Sequence, residues 1–415
     1  MNVIGFDLNK AKNDVYKNGV DPTKEAGVQY WRLQQTRKEG FYMKILHINC
    51  NYMGTALHQT MVEHLDRLGV ENTVFTPVHS LENAVITPRE NVIACECFHK
   101  WDRIWFYRKQ RKIQRALESR IAVGEFDLLH AYTLFTDGNC AYELSKKYNI
   151  PYVVAIRDTD VNTFFRYAPH LRKRGTEILK NAAAVFFLST AYKKQVLSKY
   201  IPATLRQSIA EKSYVIPNGI HDFWFDNLYL GRDVDKIQKR LKEKQLSIIF
   251  VGSISKRKNP LITLKAMDLL EKKGYKVEFT VAGGIRNAQI GRTLLSDKRV
   301  YYAGKLAKND LIEQYRKNDI FVMPSRTETF GLVYAEAMSQ GLPVIYTKGQ
   351  GFDEQFPDGE VGYAIDPNSS ADIASKIIAV MQNYELLSVN CREKYTKFNW
   401  NNIVKEYATI YSKIG

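Results

Sequence analysis

The chain has 415 residues, 45% of them hydrophobic, and carries 60 Lys+Arg against 44 Asp+Glu for a net charge of +16. That length exceeds the roughly 250–300 residues at which a single core stops growing, so two domains are expected; no apolar run reaches the ~18 residues of a membrane span, and no charged-then-apolar leader opens the chain. The five cysteines, Cys50, Cys95, Cys97, Cys140 and Cys391, read as reduced thiols of a cytoplasmic protein, with no Cys/His set to hold a metal, and the positive balance favours phosphates or acidic lipid surfaces over nucleic acid, for which no binding motif is present.

Residues 1–42 are polar and lack sustained periodicity. They read as an N-terminal extension or a mis-assigned start. Met43 serves better as the start, because Lys38-Glu-Gly40 can be encoded by a purine-rich ribosome-binding sequence. From Met43 onward strands and helices alternate, the pattern of a parallel sheet covered on both faces. Expected strands are 44–49, 72–76, 128–131, 152–156, 184–188 and 214–216, with helices such as 57–68 and 139–148 between them. The pattern restarts at Leu246-Ser-Ile-Ile-Phe-Val251, with further strands at 277–282, 300–303, 320–323, 344–346 and 362–365. Two doubly wound units in series are implied, joined near 220–245.

The densest chemistry lies at Ser325-Arg-Thr-Glu-Thr-Phe-Gly-Leu-Val-Tyr-Ala-Glu-Ala-Met338. A buried strand ends at Pro324, and a helix from Leu332 to Gln340 is stopped by Gly341 and Pro343. The helix start presents free backbone N–H groups at Phe330, Gly331 and Leu332, a phosphate cradle by orphan donors and dipole. Glu328 in the loop and Glu336 about two turns on are expected to face one pocket. A phosphate cradle beside carboxylates for hydroxyls suits a nucleotide-sugar.

This run resembles the paired-glutamate signature of the retaining glycosyltransferases of family 4. Pro324, Ser325, Glu328, Phe330, Gly331, Leu332, Glu336, Ala337, Met338, Gly341, Pro343, Val344 and Ile345 all fit its pattern. Val215-Ile-Pro-Asn-Gly-Ile220 is similar to the family's hinge element, and Phe398-Asn-Trp400 to its ending. The resemblance covers nearly everything after Met43. It implies an α/β GT-B architecture, two Rossmann-like domains facing across a cleft. The first is residues 43–222, completed by a C-terminal helix at 400–415; the second, residues 223–399, holds the donor.

By the same resemblance Glu336 holds the ribose hydroxyls and Glu328 touches the donor sugar. Thr329 and the amides of Phe330, Gly331 and Leu332 line the sugar and diphosphate. In Phe250-Val-Gly-Ser-Ile-Ser-Lys-Arg-Lys-Asn-Pro260, Lys258 falls on the family's diphosphate-binding lysine, while Ser253 stands where the family has arginine. Lys256 or Arg257 is expected to reach in for the missing cation. Gly54 remains from a glycine pair placed between donor phosphate and acceptor. Arg157 stands at a family histidine in the cleft and Asp160 at a family aspartate, so Asp158-Thr-Asp160 reads as a mimic of a D-x-D metal motif. Glu354 matches a further family glutamate, although Gln350 replaces a glycine just before it.

Phe98 to Arg120 mixes Trp101, Ile104, Trp105, Phe106 and Tyr107 with seven or more basic residues. It reads equally as a surface for an anionic membrane or as a helix packed by its aromatics under a solvated basic face. The expectation is a metal-independent, retaining transfer of a sugar from a UDP- or GDP-sugar to a glycan or lipid-linked acceptor. It requires no cofactor and would serve cell-surface polysaccharide or glycolipid synthesis, in the cytoplasm or peripherally on the inner face of the membrane. The alternatives are a GT-B epimerase acting on the nucleotide-sugar alone and a basic nucleic-acid-binding protein.

Overall fold

The computed structural model describes residues 43–82, 84, 85, 89–229 and 231–414; the readings of residues 1–42 lie outside the described residues. Seven strands build the first sheet: β1 Lys44–Ile48, β2 Glu71–Val78, β3 Val92–Glu96, β4 Leu128–Ala131, β5 Tyr152–Ala155, β6 Ala184–Phe187 and β7 Ser213–Val215. Six build the second: β8 Gln245–Val251, β9 Lys276–Ala282, β10 Val300–Gly304, β11 Ile320–Val322, β12 Val344–Thr347 and β13 Gly362–Ile365.

Every pairing is parallel, for example Ile45 opposite Asn72 and Leu128, and Ile248 opposite Phe279 and Ile320. The spatial orders are β3-β2-β1-β4-β5-β6-β7 and β10-β9-β8-β11-β12-β13. Parallel strands are covered by helices on both faces, which explains the largely apolar, buried runs in β4, β5, β8 and β11. The strand order reverses between β1 and β4 and again between β8 and β11. Ligands in such sheets bind beyond the strand carboxyl ends at these reversals. The loops after β1, β8 and β11 carry Gly54, Lys258 and Glu328.

The helix Trp400–Tyr411 returns to the first sheet. Trp400, Ile403, Tyr407 and Tyr411 share a core with Ile45, Leu128, Val153 and Phe186, and His64 Nδ1 is 2.8 Å from Asn401 Oδ1. The joint expected near 220–245 is not bare chain. It carries the helices Phe223–Asp226 and Val234–Lys242, and Trp224 is buried in the second core. Arg232, also buried, donates to the carbonyls of Tyr315 and Asn318 at the end of one helix and of Gln340 at the end of another. Cys95 lies on the edge strand β3 and Cys97 just beyond its end. Among the described residues no helix is long and apolar enough to cross a membrane, and all five cysteines are free thiols.

Candidate active site

A cavity of about 570 Å³ opens between the two sheets. Gly54 and Arg157 line it from the first domain. Lys258, Glu328, Thr329, Phe330, Gly331 and Leu332 line it from the second. Residues separated by more than two hundred positions therefore meet at the strand carboxyl ends.

Lys258 Nζ donates to Glu328 Oε2, an ion pair with both residues under a tenth exposed. Glu328 is fixed through its backbone: its N–H donates to Gln350 Oε1 at 2.9 Å, and its carbonyl accepts from Gly351 N at 2.8 Å. The Gln350 side chain thus does structural work in place of the family's glycine. Gly351 itself is obligatory, since a Cβ there would lie 1.8 Å from the Thr329 carbonyl oxygen.

The helix Leu332–Ser339 starts one residue after Gly331, whose φ of 78° only glycine adopts freely; a Cβ would also lie 2.6 Å from the Tyr334 ring. Among the described residues, the amides of Phe330, Gly331 and Leu332 have no protein acceptor, and they front the cavity.

Glu336 does not line the same cavity as Glu328. The left-handed Gly331 interrupts the helix between them, so helical phase cannot be carried from one to the other. Glu336 follows one turn behind Leu332 on the same face. It lies against Trp224, Tyr315 and Lys308, and burial pushes its carboxyl up to about 7 against the pull of the Lys308 cation and the polar groups of Tyr315 and Trp224. Lys308 opens the helix just after Lys305 and Leu306, which wall a second cavity of about 440 Å³. Ser253 lies in that second cavity with Gly252, Gly283 and Arg286. Glu336 therefore lies outside the lining of both cavities, a placement the sequence did not suggest. Trp224, Tyr315 and Lys308 were missed because only the fold carries them to it.

The expectation that Lys256 or Arg257 replaces the missing arginine is not met. Arg257 lines neither cavity; its Nη1 donates to the Thr327 carbonyl at 2.9 Å. Lys256 lines a separate polar cavity with Lys265 and Arg326. Of the three cations Lys256, Arg257 and Lys258, Lys258 is the one that lines the cleft.

On the opposite wall, Arg157 is half-buried and oriented by two bonds, from Nε to the Tyr132 carbonyl and from Nη1 to Asn218 Oδ1, each 3.2 Å. Asp160 is buried and accepts from the amides of Leu134 at 3.0 Å, Phe135 at 3.1 Å and Arg157 at 2.9 Å. Burial still pushes its carboxyl up to about 6. Asp158 instead accepts from Asn162 at 2.7 Å. The two carboxylates serve different partners, and among the described residues no cluster of His, Cys, Asp and Glu is suited to a metal.

His58, not singled out from sequence, also lines the cleft. Its Nδ1 accepts from Asn49 Nδ2 at 2.9 Å, and burial beside Arg157 keeps it neutral. Glu354 pairs across the domains with Lys194 at 2.7 Å, and Gln355 Nε2 donates to the Leu188 carbonyl at 3.0 Å. Glu354 thus bridges the two domains.

Two facing parallel sheets with this cleft define a GT-B glycosyltransferase. Residues 58–222 match the family described as Glycosyltransferase Family 4, and residues 231–398 match Glycosyl transferases group 1. The chain belongs to the family 4, group 1 glycosyltransferases. It is 26% identical over 387 residues to a protein of Methanocaldococcus jannaschii named an uncharacterised glycosyltransferase, covering 86% of this chain and 94% of that one. It is 25% identical over 269 residues to a D-inositol 3-phosphate glycosyltransferase of Paenarthrobacter aurescens, covering 61% and 64%. Among solved structures it is similar to sucrose-phosphate synthase from Thermosynechococcus elongatus, with a TM-score of 0.69, 20% identity and coverage of 89% and 98%. It is also similar to Anabaena HepE in complex with UDP and glucose, with a TM-score of 0.60, 17% identity and coverage of 89% and 100%. At these identities the structural likeness shows the fold.

Proposed function

We propose that this glycosyltransferase moves a sugar from a UDP- or GDP-sugar to a hydroxyl of a glycan or lipid-linked acceptor, with retention of anomeric configuration and without a metal. One observation carries the reading: Lys258, Glu328 and the unpartnered amides of Phe330–Leu332 converge on one cavity, while Arg157 and Gly54 face them from the other domain. A nucleoside diphosphate fits along this wall. Its base takes the second cavity beside Ser253 and Lys305. Its ribose hydroxyls meet Glu336, and its diphosphate meets Lys258 and the helix start. That the similar HepE structure holds UDP supports this placement.

As the bond from the anomeric carbon to the phosphate oxygen breaks, negative charge grows on the leaving diphosphate. Lys258 and the amides sit where that charge appears, and a preorganised donor set of this kind lowers the barrier. The acceptor oxygen then bonds the anomeric carbon from the same face, and its proton passes to the departing phosphate oxygen. Glu328 is freed from Lys258 as the diphosphate takes over the lysine, and it turns to the donor sugar's hydroxyls. Arg157 cannot act as a neutral base, because guanidinium stays protonated; it holds an acidic group of the acceptor or donor instead. Such a reaction belongs to cell-surface polysaccharide or glycolipid synthesis on the cytoplasmic side of a membrane.

The test is the anomeric configuration of the product, read from the coupling constant of its anomeric proton by NMR. Retention supports the proposal. An inverted product removes the front-face mechanism.

A further inference from the structure

The turn Lys100–Arg103 and the start of the helix Phe106–Glu118 do not bury their aromatics. Trp101 is 79% exposed, Ile104 71%, Trp105 65% and Tyr107 53%. Large exposed side chains are normal when scattered, but four within seven residues form a patch. Phe106 alone turns inward, its ring edge-on to Phe164 at 6.2 Å. The helix packs instead through Gln110, Ile113 and Leu117. This removes the reading in which the aromatics serve as packing.

The patch is rigidly built and cationic. Asp102 is buried; it accepts from the His99 amide at 2.8 Å and from Lys112 Nζ at 2.6 Å, pinning the aromatic turn to the helix. It is the sole acidic residue between Phe98 and Leu117. Arg111 and Arg115 are exposed one and two turns beyond Tyr107 on the same helix face, and Lys100 is exposed beside Trp101. Amphipathic indole and phenol rings fringed by arginine and lysine suit the headgroup layer of an anionic bilayer, where each basic residue contributes about 1 kcal/mol of attraction.

The position matters as much as the chemistry. All strands of the first sheet run parallel, so the segment after β3 leaves from the same edge as the loops after β1 and β5, which carry Gly54 and Arg157 into the cleft. Phe106 touches Phe164 in the segment that follows Arg157.

We infer that Trp101, Ile104, Trp105 and Tyr107, with Lys100, Arg111 and Arg115, form a docking surface for an anionic lipid bilayer, set on the acceptor-side rim of the cleft. The docking stands on exposure, charge and placement. Its consequence, that the acceptor hydroxyl is presented by a molecule at the bilayer surface, rests on the transferase reading above.

The experiment is co-sedimentation of the full chain with phosphatidylcholine vesicles, with and without phosphatidylglycerol, across a salt series. Binding to the phosphatidylglycerol vesicles alone is expected, with release as salt rises past ~0.15 M, where the Debye length is ~8 Å. Trp101→Ser with Trp105→Ser is expected to abolish binding at an unchanged thermal midpoint, because both side chains are exposed. Arg111→Gln with Arg115→Gln is expected to weaken it roughly fivefold per charge removed. Absence of wild-type binding, equal binding to neutral vesicles, or full binding by the double tryptophan variant overturns the inference. So does self-association of the wild type that the tryptophan variant loses, which would assign the patch to a second copy of the chain. Thermal protection by nucleotide-sugars is read separately, so failure on vesicles leaves the transferase reading standing, and failure there leaves the docking standing.

Discussion

Lys258 and Glu328 are ion-paired inside the cleft, seventy positions apart in sequence and both almost out of contact with water. The pair joins the loops after β8 and β11, the two strands at the reversal of the second sheet. A buried pair contributes little net stability when intact, but removing one partner leaves an uncompensated charge that costs several kcal/mol. On the proposed function, a donor diphosphate is expected to replace Glu328 as the partner of Lys258.

Lys258→Ala is expected to depress turnover more than donor affinity, since the lysine matters most when the leaving diphosphate carries its full charge. The same variant loses stability because Glu328 is left unpaired. The double variant Lys258→Ala, Glu328→Ala recovers part of that stability and none of the activity. Steady-state kinetics with denaturant melts of all three variants check this. Wild-type turnover by Lys258→Ala contradicts it.

Glu336→Ala is expected to weaken nucleotide-sugar binding by about 1.5–3 kcal/mol, the cost of losing a charged hydrogen-bond acceptor for hydroxyls. Isothermal titration of wild type and variant measures it directly. Unchanged affinity removes Glu336 from the ribose site.

The same carboxyl gives a pH dependence. Burial raises it from 4.5 to about 7 in the folded chain. The folded state therefore holds a proton that the unfolded chain has already released between these values, so this group's contribution to stability falls as pH rises through that window and is undiminished below it. Donor affinity runs the other way, because the ionised carboxylate is the better acceptor of ribose hydroxyls: it rises as pH passes ~7. Glu336→Gln flattens both profiles. A Gln variant with the wild-type slopes assigns the dependence to another group, with Asp137, also raised to about 7 by burial, the first to examine.

Much of this was legible because parallel strands covered on both faces leave long apolar runs, and because Gly341 and Pro343 stop the helix that begins at Leu332. The glutamates were visible, but not their geometry. Gly331 in the left-handed region breaks the helical phase, so Glu328 enters the cleft while Glu336 turns toward Trp224. Trp224 lies 112 positions from Glu336 in a segment that read as a joint, and no local pattern connects them. Lys256 and Arg257 misled because a cluster of cations does not reveal which of them a loop turns inward. Gln350 read as a departure from the family; only its bond to the Glu328 amide shows its use.

Exhaustive treatment with EDTA is expected to leave activity intact. Asp160 spends its oxygens on three backbone amides, and Asp158 is bonded to Asn162. Loss of activity restored by manganese or magnesium contradicts a metal-free mechanism.

The account's central claim is that a nucleotide-sugar occupies the wall formed by Lys258, Glu336 and the helix start at Phe330–Leu332. The measurement that tests it most directly is thermal unfolding of the full chain against a panel of UDP- and GDP-sugars, because a ligand that binds only the folded state raises its stability by mass action, ~2.7 kcal/mol at a hundredfold excess over Kd. The account predicts that at least one nucleotide-sugar raises the unfolding midpoint of the wild type and that Lys258→Ala and Glu336→Ala lose most of that rise. A panel in which no nucleotide-sugar moves the wild-type midpoint, or in which both variants are protected as fully as the wild type, contradicts it.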